Sequence, residues 1–277
     1  MTQILSFKRF NDVYRNAVRD VYEYWTPEMQ LELARYNQGW APAFFDFGAY
    51  LRASSVRYYK AYRLLAEKGS DQTVCDVGGF WGCFPVTLKR LGYKVTITET
   101  LRYYGGSFTK LFEFITKMGV TVVDLDPFQP EVGAPGRFDV VMLMAVLEHY
   151  PHSLRSFMKN IVSLINPGGN LYIEVPNIAF WPKRIQLLLG RTPLVPASQI
   201  FQSLVPFIGH HHEFTIHELR DLVNLSGLVT IRECFYNYSP QTRPGLRMLL
   251  RDPIQFVSHL FLRDSRECLA VLCKSKD

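Results

Sequence analysis

Val74-Cys75-Asp76-Val77-Gly78-Gly79-Phe80-Trp81-Gly82 decides how this chain is read. Residues 73–77 are β-prone, the glycines that follow permit a sharp turn, and residues 84–91 have the composition of a helix. Strand, tight turn and helix in that order place an exposed backbone in front of the positive end of a helix, where a ligand can come close. The spacing is not the G-x-G-x-x-G of dinucleotide-binding turns. It is acid-x-Gly-x-x-x-Gly, carried by Asp76, Gly78 and Gly82, with Gly79 beside them. Taken alone, the stretch also reads as a plain strand-to-helix turn.

Working outward, residues 93–98 read as a second strand ending in Glu99. An acid at that strand end, about 20 residues past a glycine turn, is placed to bond ribose hydroxyls. Residues 120–123 read as a third strand, followed by Asp124 and Asp126. Residues 138–143 read as a fourth, after the turn Ala134-Pro135-Gly136, and lead into Met144-Ala145-Val146-Leu147-Glu148-His149. Asn166-Pro167-Gly168-Gly169 is a turn before a fifth strand over 170–175. Alternating strands and helices imply a parallel sheet covered on both faces, with ligands beyond the carboxyl ends of the strands.

These ordered segments resemble the class I methyltransferases that use S-adenosylmethionine (SAM) and release S-adenosyl-L-homocysteine. The likeness covers residues 70–235, and it extends to the small-molecule and ubiquinone-biosynthesis O-methyltransferases. In the usual family turn a glycine stands where this chain has Phe80. The resemblance implies a Rossmann-like α/β fold: a seven-stranded sheet whose last strand is antiparallel and lies between strands five and six. By the same resemblance Asp76, Gly78, Gly79 and Gly82 hold the methionine part of the cofactor, and Glu99 takes the ribose. Asp124 and the backbone of Leu125 face the adenine, with Asp126 a competitor for that role, and the backbone at Met144 meets the cofactor amino group. Relatives that methylate catechol-like ubiquinone precursors bind a divalent metal through Glu-x-x-Glu-His. The corresponding segment, Ala145-Val146-Leu147-Glu148-His149, lacks the first acid, so no metal ligand is assigned.

The chain has 277 residues, 48% hydrophobic and 20% charged, as expected of a globular protein. Its net charge of +6 comes from scattered basic residues without a dense Lys/Arg block, which disfavours nucleic acid as a partner. The five cysteines form no C-x-x-C pair and read as free thiols in a reducing compartment. No secretory pattern opens the sequence and no stretch is apolar enough to span a bilayer, so the cytoplasm is the expected location.

Residues 1–70 read as an N-terminal helical extension or lid, with helices near 10–22, 27–37 and 49–68 and a loop over 40–47. Its aromatic residues Tyr24, Trp25, Tyr36, Trp40, Phe44, Phe45, Tyr58 and Tyr59 are expected mostly to pack the helices on the sheet, with one or two reaching a ligand. The methyltransferase domain occupies 71–277, with insertions near 177–213 and 239–264. Within the first, Pro176-Asn177, Arg184 to Gly190 and Gly209-His210 resemble methyltransferases of cell-surface polysaccharide clusters. Residues 239–264 fit a membrane-surface helix or an extra packed helix, and Pro253 argues against one long surface helix.

His149 fits two roles, general base or turn-fixing residue, because an imidazole titrates near neutrality. His210, His211 and His212 form the second candidate group for base or substrate contact, against the alternative of solvent-facing loop histidines. The reading is therefore a SAM-dependent methyltransferase for a small-molecule acceptor, a hydroxyl of a sugar or glycosylated metabolite. The rivals are an N-methyltransferase, a SAM-binding protein without turnover, a dehydrogenase and a nucleic-acid methyltransferase. The oligomeric state is not read from the sequence.

Overall fold

Strands β1 (Thr73–Val77), β4 (Phe138–Met144) and β5 (Ile165–Pro176) are almost continuously buried, the pattern of strands covered on both faces. With β2 (Lys94–Glu99), β3 (Thr121–Asp124), β6 (Leu228–Tyr236) and β7 (Cys268–Ser275) they form a seven-stranded sheet in the order β3-β2-β1-β4-β5-β7-β6. The first five run parallel, and β7 lies antiparallel between β5 and β6. This is the arrangement expected from the resemblance. The coordinates are a computed structural model describing residues 4–36, 46–129, 135–203, 207, 209–242 and 245–276.

The chain leaves β1 toward β2 and β3 on one side, then returns to place β4 and β5 on the other. The carboxyl ends of β1 and β4 therefore flank the switch point, where open α/β sheets bind ligands. Alternation along β1 sends Val74 and Cys75 into two different cores. One core joins the sheet to the N-terminal helices α1 (Phe7–Tyr22), α2 (Pro27–Tyr36), α3 (Phe47–Ala53) and α4 (Ser55–Ala66) and to α5 (Cys83–Arg90) and α6 (Thr109–Lys117). The other packs α7 (Leu154–Ser163) and α10 (Ile216–Leu225) on the opposite face. Helix α10 starts with the expected capping box, Thr215 with Glu218.

Two local expectations are corrected, and a third is met at Pro253. The single helix expected over 49–68 is interrupted at Ser54, whose hydroxyl bonds back to the Tyr50 carbonyl, an arrangement that bends helices. Strand β5 begins at Ile165 rather than after the glycine turn, because Ile165 pairs with Phe138 before the register shifts at a bulge. Residues 239–264 hold two short helices, α11 (Leu246–Arg251) and α12 (Pro253–Phe261), split at the proline. The 177–213 insertion carries α8 (Trp181–Leu188) and α9 (Ala197–Gln202). Among the described residues no helix is long and apolar enough to cross a membrane.

Candidate active site

A cavity of about 580 Å³ lies over the carboxyl ends of β1, β2, β4 and β5. One end is walled by Asp76, Gly78, Gly79, Phe80, Thr98, Glu99, Leu125, Asp126 and Met144. Gly78 turns the chain at φ 65°, and a Cβ there would meet a methyl of Val146 at 2.8 Å. Phe80 and Trp81 follow at φ 34° and 40°, the left-handed region that suits glycine. The bend therefore has the shape that a glycine at position 80 would favour, and a phenylalanine adopts it. Packing holds it there: Phe80 stacks on Trp81, and Phe47 lies against both. The Phe80 N–H donates to Glu99 Oε1 at 2.6 Å, and the Tyr104 hydroxyl donates to Glu99 Oε2 at 2.8 Å.

Burial pushes Asp76 up to about 8, with the charge of Glu99 adding to it. Burial also pushes Glu99 up to about 7, against the bonds from Tyr104 and Phe80. A pair of buried carboxylates held this close to neutrality is poised to ionise when a cation arrives.

The other end is assembled from distant segments. Glu148 and His149 lie on the single turn Leu147–His149 that follows β4. The backbone N–H groups of His211 and His212 donate to the Glu148 carbonyl at 2.7 and 3.3 Å, which ties the loop around 209–213 to that turn. His149 Nδ1 lies 3.1 Å from the Gly209 carbonyl. A carbonyl only accepts, so the proton is on Nδ1 and the Nε2 lone pair is left over. His210 Nδ1 lies 3.0 Å from Glu213 Oε1, and Glu213 also pairs with Lys183. Burial opposes the charge of Glu213, but the His210 bond and Lys183 hold its carboxyl below the usual value. Glu148 is fully buried, and neither side-chain oxygen has a hydrogen-bond partner among the described residues. Burial pushes it up to about 7, tempered by His210. Burial, with His210 beside it, drives His149 down to about 3, so its ring is neutral across the physiological range.

Between the two ends, Arg57 of α4 meets Glu174 of β5 in a buried ion pair at 2.6 Å. The Tyr236 hydroxyl donates to the other Glu174 oxygen, while the Arg57 guanidinium donates to the Tyr50 hydroxyl and lies 5.1 Å from the Tyr238 ring.

Of the residues singled out in the sequence, Asp76, Gly78, Gly79, Glu99, Leu125, Met144, His149 and His210 line this one cavity. Gly82 does not: a Cβ there would strike Ile115 at 2.6 Å, so it serves close packing on α6. Asp124 is also off the wall, its carboxylate accepting from Leu101 N at 3.0 Å, and Asp126 stands on the wall instead. His211 and His212 are exposed, with Nε2 atoms directed to the Phe207 carbonyl and to Glu218. Among the N-terminal aromatics Tyr58 reaches the cavity, whereas Tyr24, Trp25 and Tyr59 pack on Phe114, Trp81 and Phe10. Trp40, Phe44, Phe45 and the Tyr36 side chain lie outside the described residues. Arg57, Glu174 and Tyr104 were not foreseen. The visible signal was Glu174 itself, a lone acid inside the apolar run Leu171-Tyr172-Ile173-Glu174-Val175, which demands a buried partner.

Sheet order, glycine turn and the acid closing β2 together define a class I SAM-dependent methyltransferase. The chain belongs to the methyltransferase domain family, whose sequence profile matches residues 50–233. It is 26% identical over 178 residues to the ubiquinone biosynthesis O-methyltransferase of Colwellia psychrerythraea, covering 62% of this chain and 67% of that protein. It is 29% identical over 107 residues to the enzyme of the same name from Pseudoalteromonas translucida, covering 39% of this chain and 44% of that one. The fold is similar to magnesium protoporphyrin IX methyltransferase of Synechocystis, with a TM-score of 0.55, 14% identity and 97% of each chain covered. It is also similar to the 1,6-didemethyltoxoflavin-N1-methyltransferase of Burkholderia thailandensis, with a TM-score of 0.50 and 16% identity, covering 100% of this chain and 93% of that one. Both of those structures hold S-adenosylhomocysteine.

Proposed function

We propose that the chain methylates a hydroxyl of a small molecule, a sugar or glycosylated metabolite, bound at the Glu148–His149–His210 end of the cavity. The observation that carries this reading is the convergence there of electron-pair donors without hydrogens to give. Glu148 is buried and unpartnered, and the two imidazoles have their Nδ1 atoms tied down. An amine attacks through its own lone pair, whereas a hydroxyl must lose a proton as it attacks and needs such acceptors beside it.

The other end fits the cofactor on this structure's own features. The turn at Gly78 leaves no room for a side chain, and the Thr98 hydroxyl is buried on the cavity wall without a partner among the described residues. SAM supplies, when bound, a methyl group already activated on a sulfonium. Asp76 and the backbone of Gly78 and Gly79 would hold its amino-acid part, and Glu99 its ribose, where a carboxylate has lone pairs left beyond the two bonds it accepts. Asp126 and the backbone of Leu125 would meet the adenine, and the backbone at Met144 the amino group. The aromatic walls from Tyr58, Phe180, Phe207 and Tyr238 exclude water and hold the acceptor in line, and positioning supplies much of the rate for so good a leaving group.

The test is methyl transfer from isotope-labelled SAM to two acceptor panels, hydroxylated sugars and glycosides against primary and secondary amines. Methyl ethers identified by mass spectrometry are the expected product. N-methyl products alone would reassign Glu148 as the partner of an ammonium. Saturable SAM binding without transfer to either panel would make the chain a SAM-binding protein without turnover.

A further inference from the structure

The donor set at the acceptor end has a composition of its own. We infer that Glu148, His149 and His210 together hold a divalent first-row transition-metal cation. One ligand atom from each of the three residues lies within 4.8 Å of the others. His210 Nε2 stands 4.0 Å from Glu148 Oε1, too far for a hydrogen bond and near enough for both to meet one ion between them. The His149 and His210 rings meet edge to face with centroids 4.9 Å apart.

Two independent observations point to a ligand. The first is Glu148, fully buried on the cavity wall with both oxygens unpartnered among the described residues. A carboxylate in that position needs an opposite charge, and the neighbouring cations are engaged elsewhere: Arg57 with Glu174, and Lys183 with Glu213. The second is the outer set of bonds. His149 gives its Nδ1 hydrogen to a backbone carbonyl and His210 gives its own to a carboxylate. Metal-binding histidines are fixed in this way, with the remaining nitrogen presented to the ion. The donors come from segments far apart in sequence, and the two N–H bonds to the Glu148 carbonyl hold those segments together.

Two imidazoles and one carboxylate favour zinc, cobalt or iron over magnesium or calcium, which prefer oxygen. Three protein donors leave coordination positions open toward the cavity. Bound there, such an ion would take up the three lone pairs and would assist the acceptor hydroxyl by lowering its pKa, in place of their accepting its proton directly. That consequence rests on the function proposed above; the binding itself does not. His211 and His212 stand outside the set, since both are exposed with their Nε2 atoms directed elsewhere.

The experiment is a titration of chelator-treated full-length protein with Co(II), followed by visible absorption, and with Zn(II), followed by calorimetry. One ion per chain is expected, with the ligand-field bands of a site containing nitrogen donors. Glu148→Gln and His210→Ala should each weaken binding at least about tenfold, and Glu213→Gln about tenfold or more through the outer bond. The double variant His211→Ala/His212→Ala should bind as the parent does. A SAM titration on each variant reads the other end of the cavity and should be unchanged, which separates a lost ion from a lost fold. The inference is overturned if no single-ion binding occurs, if Glu148→Gln binds like the parent, or if the His211/His212 variant abolishes the signal. Absence of methyl transfer with cobalt binding intact would count against the proposed function and leave the metal site standing.

Discussion

The two ends of the cavity are built on opposite principles. At the end proposed for the cofactor, the neighbouring strands β2, β1 and β4 deliver Glu99, Asp76 and Met144 to one place as a consequence of sheet order, and the carboxylate of Glu99 is already hydrogen-bonded through both oxygens. At the end proposed for the acceptor, the turn after β4 and the loop around 209–213 meet across a long sequence separation, and Glu148 is left without a hydrogen-bond partner among the described residues. The first end is preformed by topology. The second is preformed by tertiary bonds, and so it responds far more to single changes.

The largest effect is expected where the two ends meet, from Arg57→Met. It strands Glu174 as an unpaired buried acid and should destabilise the fold by about 3–5 kcal/mol, read as a shift in the urea midpoint. A cost under about 1 kcal/mol would show that the buried pair between the two ends contributes little to the fold. At the cofactor end Glu99→Ala should weaken SAM binding by about 1–3 kcal/mol by calorimetry, with the urea midpoint moving far less than in Arg57→Met. Unchanged affinity would remove Glu99 from the ribose.

A pH series sharpens the comparison further. Asp76 and Glu99 are protonated in the ligand-free fold up to about 8 and about 7, whereas in the unfolded chain they ionise near their ordinary values. Their contribution to stability is complete below those ordinary values and is lost as pH rises through about 7 to 8. SAM carries a positive sulfonium and favours the ionised acids, so its affinity should rise between pH 6 and pH 8 while the stability of the ligand-free protein falls. A flat affinity profile over that range would break the assignment of these acids to the cofactor. The smallest effect is expected from His211→Ala and His212→Ala, each within about 0.5 kcal/mol in stability by thermal unfolding, because both side chains are exposed.

The same contrast explains what the sequence disclosed. The bounds of β1 are readable because its β-prone run stops at glycine, and the order of the strands is the one the family resemblance implies. Asp124 and Asp126 are two residues apart at the end of β3, and which of them faces the cavity depends on the Leu101 N–H that Asp124 accepts. No local pattern records that bond. Three consecutive histidines look alike in sequence, yet only His210 turns inward, because Glu213 and the turn at Glu148 hold it. The ion pair of Arg57 with Glu174 spans 117 positions and has no periodicity to betray it.

That ion pair also sets a rule for how such a protein can change over time. The helix bearing Arg57 precedes the sheet in the chain, and Glu174 belongs to the sheet. A recombination event that exchanged the first helices would separate the two charges and leave one of them buried alone. A change of Arg57 to an uncharged residue is therefore expected to be tolerated only together with a matching change at position 174, which makes the two positions one unit.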